Sequence, residues 1–131
     1  MRKTFLRVGS LLALVAVALG AFGSHGLEGI LEEEQLTTFE IGVRYQFYHA
    51  LAILAVGVLS YFGRKKFMAY AGWLFTAGII CFSGSLYLLS MEEIFAVPSR
   101  VLGPVTPIGG TFFMLGWLAL FFSTFQHHQR K

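Results

Sequence analysis

The stretch FLRVGSLLALVAVALGAFG, residues 5–23, decides the fold. Arg7 is the one charged side chain in it. An α-helix rises about 1.5 Å per residue and the hydrocarbon core of a bilayer is about 30 Å thick, so a run of about 20 mostly apolar residues can cross it. The stretch therefore predicts a transmembrane helix near the start of the chain.

Three further apolar runs have the length of a span, at about residues 45–62, 67–90 and 107–125. The chain of 131 residues is 56% hydrophobic and 13% charged, whereas a soluble domain carries about 25% charged residues. We predict an all-α integral membrane protein, a four-transmembrane-helix bundle that forms a single membrane domain over residues 1–131.

The first run also has features of a cleavable signal peptide, with a basic start, an apolar centre and small residues near its end. If it were removed, the remaining three spans would place the basic segments of the chain on opposite sides of the membrane. That arrangement conflicts with the positive-inside rule. We therefore expect the first run to be retained as a span.

The charged residues are segregated, which predicts the orientation. With four spans, eight of the ten basic residues share one side and all seven acidic residues share the other, with Arg44 and Arg100. The positive-inside rule places both termini in the cytoplasm. No Lys/Arg stripe is long enough to follow a phosphate backbone, so no nucleic acid is expected as a partner. The basic side comprises Arg2, Lys3, Arg7, Arg64, Lys65, Lys66, Arg130 and Lys131.

Several local features give finer expectations. Thr37 and Glu40 have the spacing of a capping box, which predicts that the second helix starts near Thr38. The loop over residues 91–106 contains prolines and is expected to be irregular. Small residues at four-residue spacing in the first run (Ala16, Gly20 and Ser24) predict close packing within the bundle, and Trp117 is expected to lie in the core.

The antiparallel topology brings the unusual polar residues to the outer half of the membrane, where His25 could approach His49. Such a cluster could hold a small polar ligand, relay a proton, or bind a quinone headgroup or haem. The alternative is that these groups satisfy the free N–H and C=O groups of helix ends. The candidate cluster consists of His25, Arg44, Tyr45, Gln46, Tyr48, His49, Ser83, Ser85 and Thr106.

Other residue patterns argue against an enzyme. There is no nucleophile elbow, phosphate loop, intramembrane carboxylate pair or zinc motif, so no catalytic residue, metal or cofactor is predicted. Cys81 is expected to be a small core residue, and His127 and His128 are expected to be solvated at the inner face.

Four motifs carry a family resemblance: Gly20-Ala21-Phe22-Gly23 with His25; Tyr45-Gln46 with His49-Ala50-Leu51; Phe82-Ser83-Gly84-Ser85-Leu86-Tyr87; and Thr106-Pro107-Ile108-Gly109-Gly110 followed by Gly116-Trp117. In this order they resemble the YgdD/YwdK-like small uncharacterised membrane proteins of bacteria, which have a relative in animals. Ser24 stands where that family commonly has alanine. The resemblance implies a four-helix protein of the plasma (bacterial inner) membrane and implies no activity.

Three functions remain open from the sequence. The first is a structural, interaction or assembly component of the plasma membrane, with the lipid bilayer and a membrane-protein partner or second copy as neighbours. The second is a subunit of a small-solute or ion transporter or channel. The third is a quinone- or haem-binding protein that uses the polar cluster.

Overall fold

The computed structural model of the protein describes residues 1–125, and the predictions for His127, His128, Arg130 and Lys131 lie outside the described residues. Four helical segments are long and apolar enough to cross a membrane, and residues 1–125 contain no strand, which confirms the predicted fold class. They are span 1 (Arg2–His25), span 2 (Glu33–Leu59), span 3 (Lys65–Ser90) and span 4 (Ser99–Ser123).

Span 2 begins earlier than predicted. It starts at Glu33, and the Thr37 hydroxyl donates to the carbonyl of Glu33 at 2.9 Å from within the helix. The capping interaction lies upstream, where the side-chain oxygen of Gln35 accepts from the backbone N–H of Glu32 at 3.0 Å. The capping box predicted at Thr37 was therefore wrong. A start at Glu33 places acidic residues in the first turn, which the helix dipole favours.

The loop between spans 3 and 4 is more regular than expected. It contains the single-turn helix Glu92–Phe95, and span 4 opens with a second single turn, Ser99–Leu102, before its main helix, Val105–Ser123. Ala96 has a φ of 52°, in the left-handed region, and ends the first of these turns. The prediction of an irregular loop was wrong, because prolines are tolerated at the starts of short helices.

Spans 1 and 2 form an antiparallel pair in which glycines permit close approach. A Cβ atom added to Gly9 would lie 2.8 Å from Leu54, and one added to Gly23 would lie 2.9 Å from the Phe39 ring. Ala16 is buried, as the prediction of packing within the chain requires, whereas Ser24 is exposed.

Spans 3 and 4 form the second antiparallel pair through a reciprocal arrangement. The Phe75 ring of span 3 covers Gly116 of span 4, and the Phe113 ring of span 4 covers Gly78 of span 3. Each phenylalanine occupies the space that the missing side chain leaves on the facing helix. Van der Waals packing of this kind is the main source of helix association in lipid.

Span 3 is interrupted by a five-residue π-helical segment, Ile79–Ser83, between the α-helices Lys65–Gly78 and Gly84–Ser90. A π-helical turn holds more residues than an α-helical turn, so it changes the direction in which the following side chains point. The segment packs against both span 2 and span 4.

The two pairs share one core, and the bundle has two chemically distinct ends. Phe5 of span 1 is fully buried over Gly72 of span 3, and the Arg64 N–H donates to the Ser123 carbonyl at 3.1 Å. Span 4 therefore ends beside the turn between spans 2 and 3. We call this end, with Arg2, Lys3 and Arg64–Lys66, the basic end; the opposite end, with the glutamates, is the acidic end.

Candidate functional site

The predicted polar cluster divides into two groups that face different surroundings, and Tyr45 belongs to neither. One group lies between the helices, and we call it the interior network. The other lies around a groove between spans 1 and 2. The interior network contains Gln46, His49, Ser83, Ser85 and Thr106 of the predicted residues, together with Tyr87 and Trp117.

Gln46 connects three of the four spans. Its side-chain nitrogen donates to the Leu12 carbonyl of span 1 at 2.9 Å, and its side-chain oxygen accepts from the Tyr87 hydroxyl of span 3 at 2.6 Å. The Gln46 side chain is only 3% exposed. Because a buried amide without partners is costly in lipid, these bonds favour one arrangement of the three helices.

His49 connects spans 2 and 4. Its Nδ1 lies 2.8 Å from the Tyr45 carbonyl, and the Trp117 indole N–H donates to its Nε2 at 3.1 Å. A carbonyl only accepts and an indole N–H only donates. The two partners therefore select the neutral imidazole with its proton on Nδ1, since an imidazolium has no lone pair with which to accept from Trp117.

The His49 ring lies in an aromatic environment near the middle of span 2. It stacks on Phe113 with centroids 3.6 Å apart, and Phe75 lies 5.5 Å away. His49 precedes the last residue of the helix, Leu59, by ten positions, or about 15 Å. His49 therefore lies well inside the helix rather than at its end.

The serine and threonine side chains of the network form hydrogen bonds in and beside the π-helical segment. The Ser83 hydroxyl donates to the Gly42 carbonyl of span 2 at 2.7 Å. The Ser85 hydroxyl donates to the carbonyl of Phe82 at 2.8 Å, and its oxygen lies 2.6 Å from the Thr106 hydroxyl of span 4. Span 3 is thereby hydrogen-bonded to the helices on both sides of it.

His25, Arg44 and Tyr48 are not part of the interior network. All three are exposed and line a groove of about 490 Å³ between spans 1 and 2, on the surface of the bundle. The suggested approach of His25 to His49 is wrong, because His25 lies in this groove whereas His49 points toward spans 3 and 4. The Tyr45 ring packs against aromatic side chains, with its centroid 4.8 Å from that of Phe82 and 6.3 Å from that of Phe113.

Sequence reasoning missed two members of the network. Tyr87 was part of a recognised motif but was not selected, and Trp117 was expected in the core. The prediction of a core position for Trp117 was wrong, because its side chain is 49% exposed, although its ring packs against Phe75 and its N–H reaches His49. The sequence could have identified Tyr87 as a member, because a phenol hydroxyl in the apolar part of a span requires a hydrogen-bond acceptor.

The bonding pattern limits the chemistry of the network. Within residues 1–125, no buried side-chain nitrogen or oxygen lacks a hydrogen-bond partner. Ligation of haem iron by His49 would require loss of its bond to Trp117 or to Tyr45. The described part of the chain also contains no group of three or more His, Cys, Asp or Glu residues that could hold a metal ion.

The fold and the network define a polytopic membrane protein, a four-span bundle with a hydrogen-bonded interior. The family model "Protein of unknown function (DUF423)" matches residues 19–110, and close relatives cover nearly the whole chain. The protein belongs to this family of small membrane proteins, as the motifs predicted.

Two bacterial relatives match most of the chain. A UPF0382 membrane protein of Staphylococcus aureus (strain bovine RF122 / ET3-1) is 46% identical over 125 residues, which cover 95% of this chain and 97% of the relative. The UPF0382 membrane protein YwdK of Bacillus subtilis (strain 168) is 43% identical over 119 residues, or 90% and 93% of the two chains. No solved structure matches the chain.

Proposed function

We propose that the protein is an interaction or assembly component of the plasma membrane, inserted with both termini in the cytoplasm. The observation that carries the proposal is the complete pairing of the interior polar groups among residues 1–125. Side chains that already bond one another hold the helices together and leave little capacity for a substrate. The surface is then the part of the molecule available for function.

Span 1 offers the most open surface. It packs mainly along span 2, so its other side faces outward, with the small residue Ala18 one turn after the exposed Leu14. Small exposed residues let a second backbone approach closely, which is how membrane helices associate. We infer that the partner of this face is a transmembrane helix, from another membrane protein or from a second copy of the chain.

Site-specific photo-crosslinking tests this role. A photoreactive amino acid at Leu14 of span 1 is expected to form a discrete protein adduct in intact membranes. The same substitution at Met114 of span 4 is the matched control, because the two side chains are 65% and 66% exposed. Lipid adducts alone at both positions, with a solitary particle in mild detergent, would contradict the proposal.

Cysteine accessibility tests the orientation separately. In a Cys81→Ala background, Ser99→Cys at the acidic end is expected to react with a membrane-impermeant thiol reagent added to intact cells. Lys66→Cys at the basic end is expected to react only after the membrane is opened, because basic segments stay in the cytoplasm. The opposite pattern would reverse the proposed topology.

A further inference from the structure

We propose that a cleft at the basic end, between the start of span 1 and the turn after span 2, binds the headgroup of an anionic phospholipid. The cleft has a volume of about 400 Å³ and is lined by Met1, Arg2, Ser60, Tyr61 and Lys65. It is distinct from the interior network and from the groove that contains His25.

The first argument is charge. Two separate parts of the chain place basic side chains on this one cavity, Arg2 from span 1 and Lys65 from span 3. No acidic residue occurs in residues 1–27 or 41–91, the two stretches that contain Arg2 and Lys65. Basic pockets between helices at a membrane surface are suited to anionic lipid headgroups.

The second argument concerns the helix N-termini at which these cations lie. Both helices that begin here, at Arg2 and at Lys65, have no acidic residue in the first turn. A helix N-terminus carries a partial positive charge, so basic side chains there are unfavourable until an anion approaches. A phosphodiester would neutralise side chains that otherwise repel one another.

The third argument is the position of the cleft relative to the membrane. The Arg2 guanidinium lies 4.3 Å from the Tyr61 ring centroid, and Tyr61 is exposed where span 2 has just ended. Tyrosine rings and arginine side chains are typical of the headgroup layer. The cleft therefore lies at the depth of lipid phosphates, and the acyl chains would lie along the apolar surface of spans 1 and 2.

Two adjacent lysines provide a matched pair for the test. Lys65 lines the cleft, whereas Lys66 lies outside it, with its ammonium group 5.8 Å from the Tyr70 ring centroid. Lys65→Gln and Lys66→Gln remove the same charge from neighbouring positions. If lipid bound only by diffuse attraction to a basic surface, the two substitutions would weaken binding equally. If lipid bound in the cleft, Lys65→Gln would weaken binding more than Lys66→Gln.

The experiment is a native mass-spectrometry titration of the full-length protein in mild detergent with phosphatidylglycerol or phosphatidylcholine. We expect one phosphatidylglycerol molecule to bind at least about tenfold more tightly than phosphatidylcholine. Lys65→Gln and Arg2→Gln should each weaken binding about fivefold, the effect of one basic residue near an anionic membrane surface. Lys66→Gln should change it less than twofold.

Several outcomes would overturn the proposal. Equal affinity for the two lipids, or equal losses in Lys65→Gln and Lys66→Gln, would indicate unspecific adsorption. Displacement of the lipid by millimolar inorganic phosphate would indicate a soluble anion site instead. Circular dichroism of each variant checks that the helices are retained, and a folded Lys65→Gln protein with unchanged lipid affinity would also contradict the site.

Discussion

The Trp117 indole N–H donates to Nε2 of His49 at 3.1 Å, and this bond joins span 4 to span 2 although the two residues are 68 positions apart. It is the hydrogen bond that assigns the imidazole tautomer, and it lies beside the stack of His49 on Phe113. A half-exposed tryptophan thereby contributes to the interior of the bundle.

Trp117→Phe is expected to destabilise the bundle by about 0.5–1.5 kcal/mol, because it leaves a buried acceptor without its donor. Unfolding of the reconstituted protein in a denaturing detergent measures the change. Trp73→Phe is the control, since Trp73 is similarly exposed at 53% and packs edge-on against Phe5. Equal effects of the two substitutions would show that the His49 bond contributes nothing.

The pair Gln46 and Tyr87 is expected to behave as a coupled unit. Gln46→Leu and Tyr87→Phe should each cost about 1 kcal/mol. The double variant should cost less than their sum by about 0.5–1 kcal/mol, because both single changes remove the same 2.6 Å bond. A double-mutant cycle with the exposed Tyr70→Phe in place of Tyr87→Phe should be additive, and additivity in both cycles would refute the coupling.

Substitution of two glycines by alanine is expected to change the stability of the bundle in opposite directions. Gly109→Ala should destabilise the folded bundle by about 1–3 kcal/mol, since the new Cβ would overlap the backbone of Phe82. Backbone atoms within a helix cannot move aside as a flexible side chain can. Gly84→Ala should be neutral or stabilising by up to about 1 kcal/mol, because the added methyl would meet no atom within 4 Å apart from its chain neighbours and the adjacent backbone of its own helix, and alanine favours helix. The same detergent-unfolding midpoint compares them, and a larger loss in Gly84→Ala would contradict the packing.

The π-helical segment predicts an unusual tolerance to deletion. Removal of Ile80, which is exposed in this segment, should let the segment close as ordinary α-helix and keep the flanking helices in register. The deletion should leave a folded, membrane-inserted protein. Deletion of Leu74, in the regular helix, should rotate every later side chain by about 100° and abolish the fold. Size-exclusion profiles of the two variants distinguish them, and equal loss would argue against a simple one-residue insertion.

The interior network illustrates what could be predicted of the site and what could not. Gln46, His49, Ser83, Ser85 and Thr106 were selected because polar side chains are costly in lipid, and that reasoning needs only the sequence. Their division from His25, Arg44 and Tyr48 could not be predicted. Which side of a helix a residue occupies relative to its neighbours depends on the rotation of each helix, and no local signal specifies that rotation.

The presence of four membrane-spanning helices followed from the sequence alone, because bilayer thickness sets the length of apolar run that a span needs. Residues 5–23, the run that predicted a membrane protein, lie within span 1. The segregation of charge into a basic and an acidic end was equally local, since each short loop carries its own sign.

Only the tertiary structure decided which groups meet. The partners Trp117 and His49, or Tyr87 and Gln46, are brought together by the packing of phenylalanines over glycines on facing helices. The π-helical segment further turns span 3 between them. In lipid the hydrophobic effect does not favour the burial of one helix face over another. Shape complementarity and hydrogen bonds between distant residues therefore select how the helices pack.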